Sequence, residues 1–153
     1  MNKLKIVFVC LGNYCRSPMA EAIFKQLARE DNILDRFDVS SAGTKDWDLG
    51  LRPDRRSQQL LHKHGYPLDP DKRARQITPD EIKEADYLIA MSERVAEELG
   101  GGENVFLLMD FDEKTDKKDI PDPYPSDTFP QAFALIEQGT KAFYEHIYSR
   151  IVK

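Results

Sequence analysis

The chain has 153 residues, 22 Lys and Arg against 27 Asp and Glu for a net charge of −5, and apolar and charged fractions of 41% and 32%. That length favours one domain with a sizeable core, and the composition excludes a disordered or fibrous chain. The acidic balance argues against bulk nucleic-acid binding, so an anionic ligand would have to be held by a local site.

Leu4 to Val9 is a short, β-branched apolar run suited to a buried central strand. Residues 1–11 carry two lysines, Lys3 and Lys5, and then an apolar stretch, as a signal peptide would, but no small-x-small cleavage site follows and Val9 is not the small residue of a lipoprotein signal. No apolar stretch approaches the ~20 residues needed to span a bilayer. The expectation is a cytoplasmic protein with no membrane partner. Its two cysteines, Cys10 and Cys15, are no disulfide scaffold and too few for a structural zinc site.

Ser17 is placed as an N-cap and Pro18 as the first position of a helix whose buried face is Met19, Ala20, Ile23, Phe24 and Leu27. Phe37 to Ser41 suits a second strand, and Pro53 to His64 a helix stopped by Gly65. Thr78-Pro79-Asp80-Glu81 is a capping box, with Ile77 and Ile82 placed as its hydrophobic staple. Asp86 to Met91 predicts a third strand, Ser92 the cap of a helix that Gly100 ends, and Asn104 to Met109 a fourth strand. The polar, proline-rich segment Asp110 to Asp127 predicts a functional loop. Phe129, Phe133, Ile136, Thr140, Phe143 and Ile147 form the buried stripe of a last helix. The alternation predicts a single α/β domain over residues 1–153, a parallel sheet with helices on both faces.

Chemistry concentrates in Cys10-Leu11-Gly12-Asn13-Tyr14-Cys15-Arg16-Ser17-Pro18, between the first strand and first helix. In an open α/β sheet ligands bind beyond the carboxyl ends of the strands. A loop entering a helix there turns backbone N–H groups into one concavity, reinforced by the helix dipole. Gly12 and Asn13 tolerate positive φ, which lets the loop curl around an anion. Arg16 can grip two phosphate oxygens through its planar fork. The same positive field favours an ionised sulfur at Cys10, placed for in-line attack on phosphorus, with the Ser17 hydroxyl donating to it. The leaving oxygen then needs a proton, for which Asp122, in the proline-stiffened Asp122-Pro123-Tyr124-Pro125, is the candidate. This chemistry requires no metal and no cofactor.

At these residues the sequence resembles the low-molecular-weight protein tyrosine phosphatases. Val9 to Ala22 matches the N-terminal signature of that family, Asp122-Pro123-Tyr124 matches its acid loop, and the segment order and length fit throughout. The resemblance implies a four-stranded parallel sheet with a phosphate-binding loop after the first strand. It implies Cys10 as nucleophile, Arg16 and the loop amides as phosphate binders, and Asp122 as general acid and base. Asn13 and Ser41 match positions that shape and brace the loop, Ser17 the hydroxyl that supports the thiolate. Trp47 and Tyr124 match aromatic walls of the cleft, and Leu11 and Tyr14 its rim. Cys15 matches a thiol close to the nucleophile, so a protective Cys10–Cys15 disulfide is one expectation and a loop-packing thiol the other. The implied partners are phosphotyrosine-bearing proteins or peptides, with inorganic phosphate as product.

The chain departs from the family in two places. Many relatives carry Asp at the place of Ser92, paired with a His near residues 69–73; here that stretch is Asp69-Pro70-Asp71-Lys72-Arg73. Several relatives have a second Tyr where this chain has Pro125. Elsewhere, His62, His64 and His146 are expected on the surface, the basic run Lys72, Arg73 and Arg75 on a solvated face, and Trp47 as an exposed cleft wall. Three alternatives compete. Thioredoxin-coupled arsenate reductases on this scaffold need further cysteines. Protein-arginine phosphatases have a small Thr where Tyr14 stands. A non-catalytic phosphate-binding module would lack Cys10 or Asp122.

Overall fold

Four strands carry the computed structural model: β1 (Leu4–Cys10), β2 (Phe37–Gly43), β3 (Tyr87–Ala90) and β4 (Val105–Leu107). They pair in the order β2-β1-β3-β4, every pair parallel. Residues 2–152 are described; Met1 and Lys153, the ends of the expected domain, lie outside the described residues. β1 is central because Ile6, Val7, Phe8 and Val9 are apolar on both faces, and all four are fully buried. Its register with β2 runs from Leu4 opposite Phe37 to Cys10 opposite Gly43, so both strands end together.

Helices cover both faces as expected. On one, α1 (Arg16–Glu30) and α5 (Phe129–Ile151) pack together over Phe8, with α2 (Arg55–Lys63) beside them. Phe8 meets Phe24 and Phe143 at ring separations of 5.9 Å, the second edge-on, the geometry aromatic pairs prefer. The six expected stripe residues of α5 are all buried. On the other face, α3 (Pro79–Glu84) and α4 (Glu93–Glu98) flank a smaller cluster of Val7, Val9, Leu88, Val95 and Leu99. The Thr78 capping box forms, with Thr78 Oγ1 accepting from the Glu81 N–H at 3.2 Å and Glu81 Oε1 from the Thr78 N–H at 3.1 Å. Ile77 and Ile82 both pack against the small cluster, as a staple requires. Ser92 caps α4 through the Val95 N–H, and Gly65 and Gly100 take positive φ after α2 and α4.

Several boundaries move. Ser17 is no N-cap: α1 begins at Arg16, no side chain caps it, and Ser17 lies inside the first turn with its hydroxyl turned to Cys10. Asp54, not Pro53, starts α2, accepting from the Arg56 N–H at 2.8 Å. β2 runs on to Gly43. β4 stops at Leu107, because Leu108–Phe111 turn as a 3-10 helix that buries Leu108 and Met109 beneath α5. Of the three histidines, His62 and His64 are exposed as expected. His64 stacks on Phe133 at 4.6 Å, and His146 is half-buried against Phe111 at 5.1 Å.

Candidate active site

The segment between β1 and α1 curls because its carbonyls are held from outside. The Thr44 and Lys45 N–H groups donate to the carbonyls of Cys10 (3.0 Å) and Leu11 (2.8 Å). Farther on, the Asp54 N–H and Ser57 Oγ donate to those of Tyr14 (2.9 Å) and Cys15 (3.2 Å). A trans peptide points its N–H opposite to its C=O. Four carbonyls turned outward therefore turn the N–H groups of Leu11, Gly12, Cys15 and Arg16 inward. Those of Gly12 to Cys15 meet no protein acceptor among the described residues. Together with the first turn of α1 they form an anion cradle.

Asn13 carries the bend, at φ 56°, in the left-handed region that Asn enters more readily than most residues. Gly12 does not share it. A Cβ there would meet the Asp48 carboxylate, the far end of a side chain that can turn aside. The Asn13 side chain is fully buried, donating from Nδ2 to Ser17 Oγ (2.8 Å) and Ser41 Oγ (2.9 Å) and accepting at Oδ1 from the Arg75 N–H (3.1 Å). Ser17 Oγ lies 3.0 Å from Cys10 Sγ. Gly43 backs the loop so closely that a Cβ would sit 2.5 Å from the Leu11 carbonyl oxygen, 2.9 Å from Gly12 C and 3.0 Å from Asn13 N. Since all three are backbone atoms, Gly43→Ala is expected to displace the loop. It should lower stability by about 1–3 kcal/mol in urea unfolding and weaken competitive inhibition by phosphate; unchanged values for both would show that the loop yields freely.

Cys10, Cys15 and Arg16 lie buried at the bottom of a cleft of about 280 Å³, while Trp47 (61% exposed) and Tyr124 (56%) stand at its mouth. Leu11 and Tyr14 are part-exposed along its sides, and Tyr14 meets Tyr124 edge-on at 6.0 Å. Both cysteines are free thiols. Burial, followed by the charge of Asp54, pushes the Cys15 thiol far above its ordinary range.

Asp122 reaches the same cleft from the long loop before α5, and that loop is well anchored. Ile120 is fully buried, its N–H donating to the Met91 carbonyl at 2.9 Å just beyond β3. Its carbonyl accepts from Arg16 Nη1 at 2.8 Å, so one guanidinium ties the Asp122 loop to the cradle while its remaining donors stay available. Asp122 Oδ1 accepts from the Tyr124 N–H at 3.1 Å, a side-chain turn that fixes the carboxyl. Arg56 lies over the rings of Tyr124 and Phe129 at 5.4 and 4.1 Å. Asp48 also lines the cleft, and burial and then the charge of Asp122 push its carboxyl up.

The family model for low molecular weight phosphotyrosine protein phosphatase matches residues 5–152. The chain belongs to that family. It is 37% identical over 145 residues to the Bacillus subtilis low molecular weight protein-tyrosine-phosphatase YfkJ, covering 89% of this chain and 90% of the relative. The YfkJ crystal structure superposes with a TM-score of 0.93 at 32% identity, over 99% of this chain and 98% of that one. The Mycobacterium tuberculosis low molecular weight protein-tyrosine phosphatase A is 37% identical over 158 residues, 98% of this chain and 95% of the relative. A Drosophila arginine phosphatase superposes with a TM-score of 0.83 at 34% identity, over 94% of this chain and 97% of that one.

Cys10, Leu11, Gly12, Tyr14, Cys15, Arg16, Trp47, Asp122 and Tyr124 all line this one cleft, while Asn13, Ser17 and Ser41 stand behind it. The family resemblance did not lead to three further polar residues. Asp48 shares the cleft; its only sequence signal was its place beside Trp47. Glu21, a buried acid in α1, accepts from Ser41 Oγ at 2.6 Å; its signal was the four-residue step from Ser17, which puts both on one helix face. The basic run is not a solvated face. Lys72 is buried behind the loop, and Arg75 is drawn back onto Glu81 at 2.7 Å and Ser40 at 3.0 Å; of the three only Arg73 is exposed. Hydrogen bonds from Arg75 hold the Glu81 carboxyl at about 2.

Proposed function

We propose that this protein hydrolyses phosphotyrosine in proteins, and small aryl phosphates, through a cysteinyl-phosphate intermediate. The observation that carries the reading is Cys10 Sγ, 3.0 Å from a serine hydroxyl, at the base of a cleft that also holds inward N–H groups, a buried arginine and Asp122. The phosphoryl oxygens would occupy the cradle and the Arg16 fork. Cys10 Sγ attacks phosphorus opposite the ester oxygen, an S–P bond forms, and the P–O bond to the ring breaks as Asp122 gives its proton to that oxygen. Asp122, now a carboxylate, takes a proton from water as the water attacks phosphorus. The S–P bond breaks, and Ser17 stabilises the departing sulfur by donating to it. No described helix is long and apolar enough to cross a membrane. Substrates under this proposal are phosphotyrosine-bearing proteins of the cytoplasm, and inorganic phosphate is the second product.

Arginine phosphatase activity is the competing reading, raised by the Drosophila structure. Tyr14 supports the aryl phosphate. Half-buried and edge-on to Tyr124, it gives the entrance an aromatic side suited to a flat phenyl ring. The test is hydrolysis of matched phosphotyrosine and phosphoarginine peptides in the presence of EDTA. A kcat/KM at least about ten-fold higher for phosphotyrosine is expected, the size of effect one well-placed ring contact gives. Faster phosphoarginine hydrolysis would reverse the substrate, and loss of all activity with EDTA would remove the mechanism.

A further inference from the structure

Behind the cradle lies a buried charge that the reaction itself does not use. Glu21 is 6% exposed, yet three donors face its carboxylate. Ser41 Oγ donates to Oε1 at 2.6 Å, Lys25 Nζ meets Oε2 at 2.7 Å, and Lys72 Nζ lies 3.5 Å from Oε1. Lys72 enters from the connection between α2 and α3, is 9% exposed, and also donates to the Ser41 carbonyl at 2.9 Å. Lys25 is more open to solvent, with 23% of its side chain exposed, so it is the more screened of the two cations.

The directions of the hydrogen bonds follow from this end. A carboxylate only accepts, so the single Ser41 proton goes to Glu21. Ser41 Oγ must then accept from Asn13. The Arg75 N–H, donating to Asn13 Oδ1 at 3.1 Å, favours the same orientation of the amide. Both Nδ2 protons therefore run to Ser41 and Ser17. Ser17 Oγ, receiving one of them, has its own proton free for Cys10 Sγ at 3.0 Å; its other acceptor, the Ala42 carbonyl, is at 3.5 Å. Were Ser41 to lose its charged acceptor, its hydroxyl could turn its proton against Asn13 Nδ2, leaving the orientation of the amide to the Arg75 N–H alone.

We propose that Lys72 is a positioning residue: paired with Glu21 behind the cradle, it fixes the polarity of the Ser41–Asn13–Ser17 chain so that Ser17 donates to Cys10. Burial pulls the Lys72 ammonium down in pKa, and the Glu21 carboxylate opposes that pull. Buried pairs seldom add much stability over apolar replacements, and fixing one arrangement is the role that suits them best. The inference rests on Cys10 being the attacking sulfur.

The test compares Lys72→Met, Lys72→Arg and, as a control on the same connection, Arg73→Gln. Steady-state kinetics on para-nitrophenyl phosphate are read beside the rate at which neutral iodoacetamide captures Cys10 at pH 7, with the labelled residue located by mass spectrometry. In Lys72→Met, kcat and the capture rate are both expected to fall about ten-fold with KM within about two-fold, the scale of one charge-assisted hydrogen bond. Lys72→Arg should recover most of the loss, and Arg73→Gln should match wild type. Wild-type kcat and capture in Lys72→Met, whatever its melting temperature, would overturn the proposal, as would a loss that appears in KM alone. If Lys72→Met does not fold, Glu21→Gln/Lys72→Met leaves neither partner as an unpaired charge. Slowed capture in it supports the proposal and wild-type capture overturns it. Capture needs no phosphate ester, so a wild-type protein inactive on aryl phosphates would refute the proposed function while this comparison still decides the role of Lys72.

Discussion

Cys10→Ser is expected to abolish turnover of para-nitrophenyl phosphate while leaving a cleft that still binds phosphate. The loss should be on the order of 10⁴-fold or more, as when a nucleophile is removed from an otherwise complete site. A serine hydroxyl would need a base, and the polar partner given to residue 10 is Ser17 Oγ at 3.0 Å, a hydroxyl already tied to Asn13. None of the three histidines reaches the cleft. The inward N–H groups and Arg16 are untouched by the exchange, so phosphate or vanadate titration by calorimetry should give an affinity close to that of wild type. The side chain is 3% exposed and the replacement smaller, so the melting temperature should move little. A variant retaining measurable wild-type-like turnover would show that the sulfur does not attack phosphorus.

The parts of this site legible in the sequence are those whose signal is local. Cys10 to Ser17 carries its own loop chemistry, and its position between a β-branched run and a helix places it at the carboxyl end of a central strand, where β1 puts it. The capping box and the α5 stripe were readable because their partners lie within a few residues. What escaped depends on distant partners. Lys72 and Arg75 look like a solvated patch because composition shows only like charges side by side. Their counter-charges are Glu21, fifty-one positions earlier, and Glu81, across a turn. Ser17 carries the signature of a cap, but a hydroxyl bonds to what is nearest in space, and that is Cys10. The end of β4 was missed because Leu108 and Met109 are as apolar as a strand continuation, and only the approach of α5 turns them aside. A Cβ on Gly139 would stand 2.9 Å from Leu108 Cγ. The Arg16–Ile120 bond, which holds the Asp122 loop over the cradle, joins a side chain to a backbone carbonyl and leaves no mark in the sequence.

Asp122→Asn is expected to separate substrates by their leaving groups. Asparagine has the same shape and can still accept from the Tyr124 N–H, now 3.1 Å from Asp122 Oδ1, so the loop should keep its course. It cannot give up a proton. Phenyl phosphate and phosphotyrosine, whose leaving oxygens are basic, should lose about 10²–10⁴-fold in kcat/KM, the range for removal of a general acid. Para-nitrophenol leaves readily as an anion, so its kcat/KM should fall far less. The second step still needs a base to draw a proton from water, whichever alcohol left in the first. The variant should therefore release a burst of about one nitrophenol per protein and then slow, with a phosphate mass held on Cys10 in acid-quenched samples. Equal losses for nitrophenyl and phenyl phosphate, with no burst, would mean that the Asp122 carboxyl serves only to shape its loop and that the proton comes from elsewhere. Asp48, the other carboxyl lining this cleft and one that burial pushes up, would be the first group to replace.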